Sequence, residues 1–130
     1  MITFRLSPSS GVSAYQQIAT QVRQAMQLGL LAPGDQLPTV KEVVATLAIN
    51  PNTVLKAYQL LEQQGLIEGR QGQGTFVKVA LPGPTPLQRA SLQRGLEKWL
   101  DKAFAAGLDV EGVTAIFETS VRGAEAERTA

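Results

Sequence analysis

Residues Thr39-Val40-Lys41-Glu42-Val43-Val44-Ala45-Thr46-Leu47-Ala48-Ile49-Asn50-Pro51-Asn52-Thr53-Val54-Leu55-Lys56-Ala57-Tyr58-Gln59-Leu60-Leu61 decide how this chain folds. Thr39 and Glu42 stand three apart, the spacing at which a hydroxyl and a carboxylate cap each other's backbone at a helix start. Val40, Val43, Val44 and Leu47 follow with helical periodicity, so a short helix with one apolar face is expected. A turn is expected around Ala48–Asn50. Asn50 can cap a second helix, and Pro51 suits its first turn, where a missing N–H is no loss. Val54, Ala57, Tyr58 and Leu61 then fall at i, i+3, i+4 and i+7, a second core-facing stripe. The pattern is two helices joined by a tight turn.

Upstream, Ser13 and Gln16 have the spacing of another capping box, and Tyr15, Ile18, Ala19, Val22 and Met26 form an apolar stripe. Gly29 is placed to end that helix, and Pro33-Gly34 makes a turn. Downstream, Gly65 ends the helix that starts at Asn50. Two strand-like runs, Leu66–Glu68 and Thr75–Val79, flank Gly69-Arg70-Gln71-Gly72-Gln73-Gly74, which predicts a hairpin with a glycine-rich tip. Three helices followed by a hairpin is the element order of a winged helix-turn-helix.

Leu81-Pro82-Gly83-Pro84-Thr85-Pro86 holds three prolines, so neither a helix nor a central strand can run through it. Residues 1–80 are thus expected to form the winged helix, 81–86 a linker and 87–130 a helical tail. Within the tail, Leu92, Leu96, Trp99, Leu100, Ala103 and Phe104 form one stripe. Gly107 ends that helix, and Asp109 can cap another bearing Val113, Ile116 and Phe117. From about Gly123 a frayed polar end is expected. A stripe this apolar calls for a partner, and a second copy of the same segment is the expected one. Leu92, Leu96, Trp99, Leu100, Ala103, Phe104, Ile116 and Phe117 are the predicted dimer contacts. The fold class expected is mainly α with a small β-hairpin, a winged helix-turn-helix domain plus a C-terminal two-helix dimerisation tail.

Composition narrows the chemistry. The chain has no cysteine and no histidine, which removes thiolate and imidazole metal ligands and the usual neutral-pH acid–base group. No nucleophile–base pair, metal cluster or cofactor loop is evident, so no catalytic residue, metal or cofactor is assigned. Gly72-Gln73-Gly74-Thr75 is a poor phosphate loop because it lacks Gly-Lys-Ser/Thr and precedes a strand. No signal-peptide pattern and no run of roughly 18 apolar residues is present, which predicts a cytoplasmic protein without membrane contact. The net charge is +1, with six Lys/Arg against four Asp/Glu in residues 1–79 and six against seven in 80–130. Affinity for a polyanion must therefore come from where charges sit, not from their sum.

At 100° per residue the outer face of the third helix carries Asn52, Lys56, Gln59 and Gln63, with no acid on that line. Amides can bond adenine edges in pairs, and lysine can reach guanine or phosphate. The hairpin tip offers Arg70, Gln71 and Gln73 to phosphates or a minor groove. Thr39 and Lys41 set a helix N-terminus and a cation where a phosphate can bind. Solvated capping and surface turns explain the same residues individually; the order of elements favours double-stranded DNA as partner. The competing reading is a winged helix kept as a protein-interaction module without DNA binding.

Several stretches then resemble the GntR family of bacterial regulators: Leu37-Pro38-Thr39-Val40-Lys41-Glu42, Asn50-Pro51-Asn52-Thr53-Val54, Ala57-Tyr58-x-x-Leu61-Glu62-x-x-Gly65-Leu66-Ile67 and Gly72-x-Gly74-Thr75-Phe76-Val77. The resemblance covers roughly residues 13–78, and the Asn-Pro-Asn-Thr-Val turn with a short tail is most similar to the YtrA-type branch. It implies DNA contacts from Thr39 and Lys41, from Asn50, Asn52, Thr53 and Lys56, and from Arg70, Gly72 and Gly74. With Gln59 and Gln71 from the outer face and the tip, these are the predicted DNA-binding residues. Lys41 and Pro51 stand where other members carry arginine, so a point charge replaces a fork at one and a contact is lost at the other. The implied function is a repressor that binds a pseudo-palindromic operator as a homodimer. A small-molecule effector is not indicated, since a short tail committed to packing leaves little room for a pocket.

Overall fold

The computed structural model describes residues 2–129 and comprises two compact units, one up to Pro86 and one from Leu87 onward. The first unit holds α1 (Ala14–Gln27), α2 (Val40–Leu47), α3 (Pro51–Gln63), β1 (Ile67–Arg70) and β2 (Gly74–Val77). The second holds α4 (Pro86–Ala105, whose first residue is the last of the first unit) and α5 (Val110–Thr129). Among the described residues no helix is long and apolar enough to cross a membrane.

The apolar stripes read from the sequence meet in one core. Ile18, Ala19, Val22 and Met26 of α1 pack with Val43 of α2, with Val54, Ala57, Tyr58 and Leu61 of α3, and with Ile67 and Val77 of the hairpin. Local chemistry sets the helix ends. Thr39 Oγ1 accepts from the Glu42 amide at 3.1 Å while Glu42 accepts from the Thr39 amide at 3.2 Å, so the α2 capping box is complete. Asn50 Oδ1 accepts from the Asn52 amide at 2.9 Å, and Pro51 occupies the first turn of α3. At the other end Gly65 takes φ +75°, and the amides of Gly65 and Leu66 reach back to the carbonyls of Glu62 and Leu61. This is the pair of bonds by which a left-handed residue closes a helix.

Four features differ from the sequence reading. Ser13 does stand at the α1 N-cap, but its hydroxyl donates to Gln16 Oε1 at 3.0 Å and caps no backbone group. The two side chains satisfy each other, so the expected capping box does not form. The hairpin strands pair nearer the tip than predicted and end earlier at the base: Ile67 pairs with Val77 and Arg70 with Gly74, leaving Gln71–Gln73 as the turn. Gly72, at φ +74°, permits this because the Gln73 amide bonds back to the Arg70 carbonyl in the turn that needs a left-handed third residue. Third, residues 34–37 run beside β2 without forming a strand of their own, with an isolated antiparallel bridge between Gln36 and Phe76. The Gly34 amide donates to Val77 O, the Val77 amide to Asp35 O and the Leu37 amide to Thr75 O, all at 2.8–2.9 Å. Finally, α5 continues to Thr129 instead of fraying from Gly123, because Ala124, Glu125, Ala126, Glu127 and Arg128 are good helix formers that outweigh one glycine.

An N-terminal arm unread in the sequence is held along α1 by two glutamines. Gln21 accepts from the Arg5 amide and donates to its carbonyl; Gln17 does the same for Ser7. Each side-chain amide imitates one rung of a strand pair, and Phe4 is thereby set into the core. The proline-rich stretch also packs down. Leu81 is half-buried against the core, and Gly83 lies so close to the Gln27 carbonyl that no Cβ would fit.

In the second unit, burial is confined to the bend. Ala103 and Val113 are buried there, and Asp109 Oδ1 accepts from the Gly112 amide at 2.8 Å. Ala103, expected to face a partner, is therefore shielded within its own chain. Trp99 and Leu100 are half-buried, whereas Leu92, Leu96, Phe104, Ile116 and Phe117 remain exposed.

Two stability measurements follow from this packing. Tyr58 is buried and donates to the Pro38 carbonyl at 2.6 Å. Burial, with a smaller contribution from the Glu42 carboxylate, holds its hydroxyl above the ordinary tyrosine value of 10.0. Its folded pKa is raised, so its contribution is full below pH 10 and is lost as pH climbs beyond that value. Urea titration of Tyr58→Phe should show a loss of about 1–3 kcal/mol near neutrality, from an orphaned buried carbonyl. The alkaline decline should also be shallower than in the parent. Ala48, the helix-end residue of α2, sits at φ +53°, a conformation that strains any residue with a Cβ. Ala48→Gly should raise stability by about 1 kcal/mol in the same titration.

Candidate nucleic-acid interface

The predicted contact residues come from three elements that a short segment ties together. Gln36 donates from Nε2 to Gln73 O at 3.1 Å, Leu37 pairs with Thr75, Pro38 accepts from Tyr58 of α3, and Thr39 caps α2. The start of α2 thus lies beside the hairpin tip. Thr39 and residues 69–75 line one shallow depression, which brings Thr39, Arg70, Gln71, Gly72 and Gly74 together. Gly74 is favoured there because φ +122° is a conformation that residues with a Cβ rarely adopt, and a Cβ would also displace the Gln36 amide.

Every predicted residue on the two helix starts is exposed except Thr53, which is half-buried. Thr39 and Asn50 are committed in part to capping. Thr39 Oγ1 accepts from backbone and keeps its O–H to donate, while Asn50 uses its oxygen and keeps its amide N–H groups. Lys41 stands in the first turn of α2, where the free N–H groups already favour an anion. Asn52 and Gln59 lie on the exposed side of α3, one helical row apart from the buried Val54–Tyr58–Leu61 side.

Lys56 makes a contact that the sequence reading did not foresee. It is exposed, but its Nζ lies 4.1 Å from the centre of the Tyr15 ring on α1. The ammonium thus rests against a ring of α1. An exposed cation–π contact is worth about 0.5–1 kcal/mol, which the lysine gives up if it moves to a base or phosphate. Tyr15 was legible only as part of an apolar stripe, because its use as a seat for a cation depends on how α1 crosses α3.

The hairpin cation is also held. Arg70 forms an ion pair with Glu68 at 3.2 Å, and its guanidinium lies 4.2 Å from the Phe76 ring. Glu68 and Phe76 are cross-strand partners, and Arg70 is two residues from Glu68 on the same strand face. Gln36 was missed by the sequence reading altogether. It lay between the Pro33-Gly34 turn and the Leu37–Glu42 motif, in a position given no role, and nothing local marks a glutamine that braces a loop 37 residues away.

The profile of the bacterial regulatory proteins of the gntR family matches residues 14–77, which begins at α1 and ends at the last residue of β2. Over 73 residues the chain is 41% identical to the HTH-type transcriptional repressor YtrA of Bacillus subtilis, with 56% of each protein covered. Across three curated relatives the match spans 52–60% of their length, little more than half. Among solved structures, YtrA from Sulfolobus acidocaldarius, a GntR-family transcription factor, superposes with a TM-score of 0.55 at 31% identity. That comparison covers 75% of this chain and 97% of the other. A transcriptional antiterminator from Listeria monocytogenes gives a TM-score of 0.60 at 26% identity, covering 92% and 90%. The helix-turn-helix, the two-stranded wing and these relationships agree: the chain belongs to the GntR family of bacterial transcription regulators.

Proposed function

We propose that this regulator is a sequence-specific repressor that binds a pseudo-palindromic operator as a homodimer. The observation that carries the reading is the surface shared by the N-terminus of α2 and the wing, taken together with an exposed α3 row of amides with no carboxylate on it. A helix entering the major groove needs amide or cationic side chains on its outer row and phosphate anchors to either side. Asn52 and Gln59 supply the first; Lys41, Thr39, Asn50 and Arg70 supply the second. Gln71, Gly72, Gly74 and Thr53 shape the close approach, and Lys56 serves as a cation that can leave its ring. The repressor designation of the Bacillus relative supports the direction of regulation.

Dimerisation is supported by the second unit. Leu92, Leu96, Phe104, Ile116 and Phe117 are 43–68% exposed on helices of 20 residues each. Helices with so little of their own core gain stability only by covering that surface, and a second copy offers the same stripe. Trp99 and Leu100 extend it.

The test begins with duplexes selected by the purified protein from a random library, followed by affinity measurements across a salt series. Asn52→Ala should cost about 1–3 kcal/mol on the selected duplex and little on scrambled DNA. Lys41→Ala should weaken both duplexes alike and reduce the salt slope by about one. Equal affinity of the parent protein for selected and scrambled DNA would remove the sequence-specific reading. For the dimer, sedimentation at micromolar concentration should give twice the chain mass. The doubly substituted Leu96→Glu/Phe117→Glu protein should sediment as a monomer, lose most operator affinity and lose part of its helical signal, because α4 and α5 then have no cover for their stripes.

A further inference from the structure

We infer that Leu55 is a specificity-determining residue that reads the C5-methyl group of a thymine in the major groove. The inference rests on the DNA-binding reading of α3. Val54, Ala57, Tyr58 and Leu61 of that helix are buried and Leu60 is packed against the core, but Leu55 is 44% exposed. It is three residues after Asn52 and four before Gln59, both exposed, so the three side chains form one row along the helix. Lys56, the neighbouring candidate, is drawn off toward Tyr15. The row offered to a groove is therefore amide, leucine, amide.

Leucine cannot exchange hydrogen bonds with any base edge. Set against a base amino or carbonyl group it would strip water from that group and return nothing. The major-groove edge carries one apolar group, the thymine methyl, and an exposed leucine between two base-reading amides matches it chemically. The amides and the leucine then divide the work: Asn52 and Gln59 select by hydrogen bonds, and Leu55 selects its base by burying a methyl.

Deoxyuridine differs from thymidine only by that methyl. Each thymine of a selected duplex is replaced in turn by deoxyuridine, and affinity is measured with the parent protein, Leu55→Ala and Leu55→Met. At one thymine in each half-site, loss of the methyl should weaken the parent protein about fourfold, the effect of burying one such group. Leu55→Met, which keeps an apolar reach, should retain that sensitivity. Leu55→Ala should bind thymine and uracil duplexes equally, and its exposed position lets circular dichroism confirm an intact fold. Tolerance of every uracil by the parent protein would overturn the inference while leaving the DNA-binding reading in place. So would an undiminished methyl effect in Leu55→Ala. Failure to select any duplex would remove the DNA-binding reading, and this inference with it.

Discussion

Residues 36–39 are the constraint on which the first unit depends. In four consecutive positions the chain braces the wing tip through the Gln36 amide, joins β2 through the Leu37 N–H, receives the Tyr58 hydroxyl at the Pro38 carbonyl and starts α2 with the Thr39 cap. Every one of these is a directional bond between groups that burial or a fixed turn keeps from wandering. A hydrophobic core alone would hold α1, α2 and α3 in contact but would leave their rotation soft. The four bonds remove that freedom, so the wing, the helix start and the third helix keep one mutual arrangement.

Much of this was readable in the sequence, and the reason is locality. Capping at Thr39–Glu42 and Asn50, the stop at Gly65 and the stripes of α1 and α3 all depend on residues within one or two helical turns. What escaped was set by contacts between distant segments. Nothing near Gln36 announces its bond to Gln73, and nothing near Gln17 or Gln21 announces that their amides clamp the N-terminal arm. The same holds for the site. Asn52 and Gln59 follow from helical spacing, whereas the lean of Lys56 onto Tyr15 needs the crossing of two helices. The hairpin turn was misjudged for a different reason: three glycines in six residues read as a loose tip, although two of them lie in paired strands.

The two units divide the physical tasks unequally. In the first, apolar residues are mostly consumed by the core, and the outer faces are amide, hydroxyl and scattered charge. In the second, only the bend between α4 and α5 is buried and the long apolar rows are left outward. Net charge close to zero fits such an arrangement. A protein that relied on bulk attraction would need a basic surface, whereas this one places a few cations where helix starts and a turn already present N–H groups.

The Arg70–Glu68 pair has a thermodynamic consequence for the wing. A free arginine that meets a phosphate liberates a condensed cation, and that release makes the contact strong in dilute salt and weak in concentrated salt. On the proposed reading Arg70 would reach a phosphate only by giving up its 3.2 Å pair with Glu68, whose carboxylate would then stand near the duplex and repel it. The gain from the released cation would be offset in part by the lost pair and by that repulsion. The wing contact proposed for Arg70 would therefore be weaker than that of Lys41, whose ammonium has no ion pair among the described residues.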